Sequence, residues 1–176
     1  MDYDLKSPTT KDFFANVQNK LHFAVHGHTA AELLMERANH KKDYMGLTTW
    51  KKAPNGKIIK SDVVIAKNYL GKKEIKALNR IVTMYLDYAE DQAENGIPMT
   101  MKDWSEKLNA FLQFNNKELL QNFGNVTATI AKSFAESEFE KYRPVQDKLF
   151  ESDFDQEMKK LLKDDKKCSG RKKTCR

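Results

Sequence analysis

One glycine constrains this chain more than any other residue. Residues 21–37 carry helical apolar spacing on both sides of Gly27: LHFAVH before it and HTAAELLMER after it. Thr29 followed by Glu32 is capping-box spacing, in which hydroxyl and carboxylate serve reciprocal backbone N–H groups. The pattern predicts a helix that ends at Gly27 and a second that starts at Thr29. Any fold built on this segment therefore has a sharp helix–helix corner. Three of the four histidines, His22, His26 and His28, stand at that corner.

Helical periodicity continues through most of the chain. Phe13, Phe14, Val17, Leu21, Ala24 and Val25 predict a helix over about 10–25, with Thr9 and Asp12 as its cap. The second helix is expected from Thr29 to about Asn39. Ile75, Leu78, Val82, Tyr85, Leu86 and Ala89 mark a long helix from Lys72 to Glu94, stopped at Asn95-Gly96. Thr100 and Asp103 cap another, which buries Trp104, Leu108, Phe111 and Leu112. Leu119, Leu120 and Phe123 predict a short helix. Val126, Ile130 and Phe134 open one that Pro144 halts at Tyr142. Phe150, Phe154, Met158 and Leu161 or Leu162 then form a last stripe.

Between these lies punctuation. Gly46 and Pro54-Asn55-Gly56 are turn formers, and Asn-Gly between two short apolar runs is a hairpin signal. A loop, with or without a short two-stranded ribbon, is expected over 46–60, followed by a short helix from Ser61-Asp62 to Leu70. Trp50 in this loop reads either as a core plug or as a stacking platform, with burial favoured. The class is all-α, a multi-helix orthogonal bundle with a small β-hairpin or loop excursion near 46–60. The chain divides into a lead-in at 1–8, one helical domain at 9–162 and a tail at 163–176.

Charge is informative once it is located. The net +6 of the chain comes from the tail: residues 159–176 hold nine Lys or Arg against two Asp, which leaves about −1 for residues 1–158. A near-neutral body weakens the case for duplex binding by the folded part. The two cysteines, Cys168 and Cys175, lie in that basic tail without CxxC spacing or a nearby histidine, so they do not spell a zinc site. No apolar run approaches the ~18 residues of a membrane span, and no leader pattern is visible, so a cytoplasmic protein with no membrane association is expected.

The chemistry gathers at the corner. Free N–H groups at a helix N-terminus attract anions, and imidazoles beside them can serve as bases. His22, His26 and His28 are therefore the candidate catalytic residues, with His22 as the base. Thr29, Glu32, Arg37, Lys60 and Asp62 are candidate ligand-binding residues around a phosphate-bearing or other anionic small molecule. As metal ligands, His22 and His26 share a face, but no HExxH pattern accompanies them, so no metal site is assigned. No P-loop, GxGxxG, GxSxG or EF-hand pattern occurs, and no cofactor is named. Two other classes compete with a ligand site. One is an interaction module whose aromatic helices, such as 146–162, meet a protein partner or a second copy. The other is a nucleic-acid-binding accessory domain that uses the tail and the Lys51–Lys60 loop.

Several segments carry a resemblance. Residues 9–24 (TTKDFFANVQNKLHFA), 27–33 (GHTAAEL), 45–48 with Trp50-Lys51, 60–63, 78–90 (LNRIVTMYLDYAE) and 111–114 (FLQF) resemble the RhuM virulence-protein family over about residues 3–162. The resemblance implies a bacterial protein of pathogenicity or other mobile islands, and a defence, toxin or virulence setting rather than a named reaction. Longer members carry a region ahead of this domain. A fainter similarity is to Fic/Doc proteins, whose motif H-P-F-x-[D/E]-G-N-x-R lies between two helices. Aligned without gaps, His22 and Gly27 agree. His26 stands at the metal-binding acid, His28 at the phosphate-binding Asn and Ala30 at the Arg, so a diverged transferase is the most this similarity implies.

Overall fold

The computed structural model describes residue 4, residues 6–149 and residue 158. Five α-helices follow in order: α1 (Pro8–His26), α2 (Ala30–Arg37), α3 (Lys72–Glu94), α4 (Met101–Phe114) and α5 (Ala128–Leu149). No strand occurs among the described residues, so the all-α class stands without a ribbon. The stripe beyond Leu149 and the cysteine-bearing tail fall outside the described residues, apart from Met158.

Each helix end has a local cause. Pro8 occupies the first turn of α1, where its missing N–H costs nothing. The cap is Ser7, whose hydroxyl accepts from the Thr9 amide, rather than Thr9 itself. Gly27 ends α1 in the left-handed region at φ 76°, and its N–H reaches the Phe23 carbonyl. Thr29 and Glu32 form the full capping box of α2. Thr100 and Asp103 do the same for α4.

The core lies where α2 packs on α5 and where α1 meets α3 and α4. Leu33, Leu34, Leu78, Ile81, Leu108, Leu112, Ala131, Ala135, Phe139 and Tyr142 fill it, together with Met45, Ile58, Val63, Tyr69 and Leu70 from the long connection 38–71. Burying each Leu, Ile, Val, Met or Phe of this set stabilises the fold by roughly 1.5–3 kcal/mol. Against α1, α3 and α4 the packing leaves an apolar cavity of about 410 Å³, lined by Phe13, Phe14, Leu86 and Trp104 among others.

Four expectations are corrected. Of the two alternatives for residues 46–60 the loop holds and the hairpin does not: the Ile58 N–H donates to the Gln146 side chain (2.8 Å), whose amide returns a bond to the Ile58 carbonyl (3.1 Å). A glutamine on α5 thus plays the strand partner that a ribbon would need. Residues 61–70 hold only a 3-10 turn at Ala66–Tyr69. Residues 119–123 are irregular, and Leu119 packs against the core from this loop. Finally, α5 runs straight through Pro144. Pro144 and Glu140, whose carbonyl loses its donor, are both exposed, while Tyr142 and Gln146 anchor the buried side. That buried face carries Ala131 and Ala135, and Ile130 is exposed instead.

Gly46 fixes the connection against α2. At φ 82°, a Cβ added there would stand 2.5 Å from the Arg37 carbonyl oxygen. Gly46→Ala is expected to cost about 2 kcal/mol, since left-handed strain alone is worth roughly 1–2 kcal/mol. Urea denaturation measures it, and an unchanged midpoint would contradict this account.

Candidate functional site

The corner forms as the spacing predicts, and it gathers the three imidazoles. One helical turn puts His22 above His26, with His22 Nδ1 3.0 Å from His26 Nε2 and ring centroids 5.3 Å apart. Past Gly27, His28 folds back so that its ring stacks on His26 at 6.2 Å, and its Nδ1 lies 2.9 Å from the His26 carbonyl oxygen.

These contacts decide the tautomers. A carbonyl oxygen only accepts, so His28 carries its proton on Nδ1, and in the neutral ring Nε2 bears a free lone pair. His26 Nδ1 is buried without a partner. An orphaned N–H is costlier than an orphaned lone pair, so His26 keeps its proton on Nε2 and donates to His22 Nδ1. His22 is then protonated on Nε2. Burial, followed by the charge of Lys67, lowers the His22 pKa. Burial and then the neighbouring His22 push His26 down to about 4. At neutral pH this pair is an uncharged relay.

His22 does not fit the role of base expected for it. It is 3% exposed, and its one lone pair already accepts from His26. His28 is the accessible ring, with a 43% exposed side chain and Nε2 3.9 Å from Glu36. Beside it opens a cavity of about 440 Å³, lined by Phe23, His28, Glu32, Leu120, Asn122 and Asn125, with Gly27 at its edge. The sequence did not reveal the far wall, residues 119–125. The turn formers Asn115-Asn116 and Gly124-Asn125 were its available signal.

Three amides of the anion cradle are already met by the protein's own side chains. The Thr29 N–H donates to Glu32 Oε2 (2.8 Å), the Ala30 N–H to Asn19 Oδ1 (3.3 Å) and the Glu32 N–H to the Thr29 hydroxyl (3.3 Å). An anion would have to displace these groups. Glu32 also accepts from the Asn125 amide at 2.7 Å, which ties the far wall to α2. Burial alone would raise the Glu32 pKa, but the Asn125 and Thr29 donors outweigh it and hold the carboxyl below its ordinary value.

The remaining expected site residues are engaged elsewhere. Arg37 makes a bidentate pair with Glu74 (2.7 and 2.7 Å) and donates to the Tyr69 carbonyl (3.0 Å). Lys60 pairs with Glu136 at 3.3 Å. Asp62 is buried and accepts from the Ile59 and Lys51 amides, which shapes its own turn. None of the three lines the cavity. Among the described residues no group of three or more His, Cys, Asp or Glu could hold a metal ion. No helix described is long and apolar enough to cross a membrane.

Fold and corner together define an all-α domain in which a capped helix start meets a histidine relay beside a small cavity. The model of the virulence protein RhuM family matches residues 1–151, and the chain belongs to that family. Comparison with curated proteins and with solved structures gives no match.

Proposed function

We propose that this RhuM-family domain binds a small polar ligand in the cavity between α1, α2 and residues 119–125, with His28 as the hydrogen-bond or proton acceptor. The observation that carries this reading is the His28 Nδ1 bond to the His26 carbonyl, which turns a lone pair on Nε2 away from the backbone. About 440 Å³ suits a ligand of modest size, since small-molecule pockets run roughly 300–1,000 Å³. The polar lining of His28, Glu32, Asn122 and Asn125 favours a ligand rich in hydroxyl or amine donors. Phosphate has less to hold it, because the Thr29, Ala30 and Glu32 amides are occupied and no Lys or Arg lines the cavity. Nucleotide transfer of the Fic kind lacks its clamp, with His26 and Ala30 where the acid and the arginine belong.

The test is saturation-transfer NMR with glycerol, ribose, inorganic phosphate and adenosine monophosphate as probes. Glycerol or ribose should show transfer that disappears in both His28→Ala and Leu120→Trp, the second filling the cavity. Transfer equal in wild type and both variants, or transfer from phosphate alone, contradicts the reading. Nitrogen-15 shifts at neutral pH should assign the Nδ1–H tautomer to His28 and the Nε2–H tautomer to His22 and His26. A shared tautomer across the three rings would remove the basis for His28.

A further inference from the structure

The connection between α2 and α3 carries a feature that the corner does not use. Tyr44 and Met45 are consecutive residues with left-handed backbone, at φ 51° and 58°. Such conformations cost energy in a non-glycine residue, and here they split two neighbours in opposite directions. Met45 is fully buried, while Tyr44 is held out at 52% exposure. The Tyr44 ring lies stacked on Trp50, with centroids 4.9 Å apart and planes at 28°. Trp50 is itself buried and fixed by its indole N–H, which donates to the Gly56 carbonyl at 2.7 Å. Tyr44 lies close to the Tyr142 hydroxyl of α5. The result is a half-exposed aromatic plate that rests on Trp50.

The charge around it is equally local. Residues 40–62 contain six lysines against Asp43 and Asp62, in a body whose net charge is about −1. Asp62 is buried in its turn, and Lys60 pairs with Glu136 and Lys57 with Asp147. Lys41 and Lys42 just before Tyr44, and Lys51 and Lys52 just after Trp50, are exposed and form no ion pair with any described residue. The Lys42 stem runs beside Gly46, on the same turn as the plate. Stacking brings these two lysine pairs to one lobe. Asp43 is the one exposed acid within it.

We infer that this lobe binds single-stranded nucleic acid, with a base stacked on the half-exposed ring of Tyr44 and the backbone phosphates met by Lys41, Lys42, Lys51 and Lys52. An aromatic ring offers every base a partner, and a lysine surround supplies sequence-independent attraction. This combination is how single strands are held without base readout. A duplex cannot offer an unstacked base, so the lobe should prefer single strands. The lobe shares no residue with the cavity beside His28, and the two readings stand or fall separately.

The experiment is fluorescence anisotropy of a short labelled oligodeoxythymidine, and of a duplex of equal length, titrated with the full chain. The basic tail adds attraction of its own. A tail variant with Lys166, Lys167, Arg171, Lys172 and Lys173 all changed to Gln is therefore the reference. In that background single strand should bind more tightly than duplex, and Tyr44→Gly should weaken it about tenfold. Glycine adopts the left-handed backbone freely, so this variant keeps the turn, and an unchanged melting temperature verifies it. Tyr44→Phe should bind as the parent does. Affinity should fall steeply between about 50 and 200 mM salt, with a smaller slope once Lys51 and Lys52 become Gln. Three results overturn the inference: binding that vanishes with the tail charges, equal affinity for duplex and single strand, or indifference to Tyr44→Gly. Tyr44-dependent binding to phosphatidylserine vesicles in place of the oligonucleotide does so as well.

Discussion

Glu138→Ala is expected to destabilise the fold by about 3 kcal/mol, near the low end for breaking a buried ion pair, and to lower Tm by about 10 °C. Glu138 sits on the buried face of α5 with its side chain 9% exposed. It accepts from the His40 amide at 2.9 Å, from the His40 ring at Nδ1 and from Lys141 at 2.7 Å. Burial would raise its pKa. The His40 amide, Lys141 and the His40 ring outweigh that and draw it down to about 2. Alanine leaves the His40 amide without an acceptor and opens a space beneath the 38–71 connection. Lys141, 54% exposed, finds water instead, which keeps the loss near the lower figure. Glu138→Gln retains an acceptor oxygen, so its cost should be about 1 kcal/mol. Urea and thermal denaturation of both variants separate the two effects. Equal losses for Ala and Gln would show that packing, rather than hydrogen bonding, ties the connection to α5.

Acid is expected to weaken the fold in two stages. His26 takes a proton at its ordinary 6.5 when unfolded but only near 4 when folded. Between these values the unfolded chain binds the extra proton, so stability falls as pH drops from about 6.5 to about 4. A shift of this size corresponds to about 2–3 kcal/mol after allowance for partial exposure. His22, also lowered, acts in the same direction. The second stage belongs to Glu74 and Glu138, both held at about 2. For Glu74 the Arg37 pair is the chief cause. Their contribution is complete above the ordinary carboxylate range and fades as pH falls from about 4.5 toward 2. His26→Gln should shrink the first stage to the part that His22 contributes and leave the second. A slope between pH 6.5 and 4 as steep in this variant as in the parent would place its origin elsewhere.

Local rules were enough to place α1 to α4 in the sequence. The long stripe from Ile75 to Ala89 lies within α3, and Lys72 and Glu94 bound that helix as expected. The capping pairs Thr29–Glu32 and Thr100–Asp103 are where their spacing put them. What escaped was settled by distant partners. Residues 46–60 look like a hairpin because Asn55-Gly56 is a turn signal, yet Gln146 takes the Ile58 backbone bonds that a second strand would take. Pro144 stops helices on local grounds, and here its exposed position relieves it.

The corner was legible in outline for the same reason. His22 and His26 are four residues apart, and a helix dictates their contact. Which ring keeps a free lone pair was not legible, since that depends on the His26 carbonyl behind Gly27. Arg37 looked available for a ligand until Glu74, 37 residues on, claimed both of its terminal nitrogens.

The clasp between Gln146 and Ile58 also bears on the order of events in folding. Its two ends are 88 residues apart, and the bond from His40 to Glu138 spans 98. Closing loops of that length comes late, after nearby contacts have formed. The His40 and Ile58 amides are therefore expected to gain their partners only once α5 has docked, and to lose them when α5 lifts. Deuterium uptake at the amides of His40 and Ile58 should accordingly keep pace with the opening of α5, and not with that of the nearby α2.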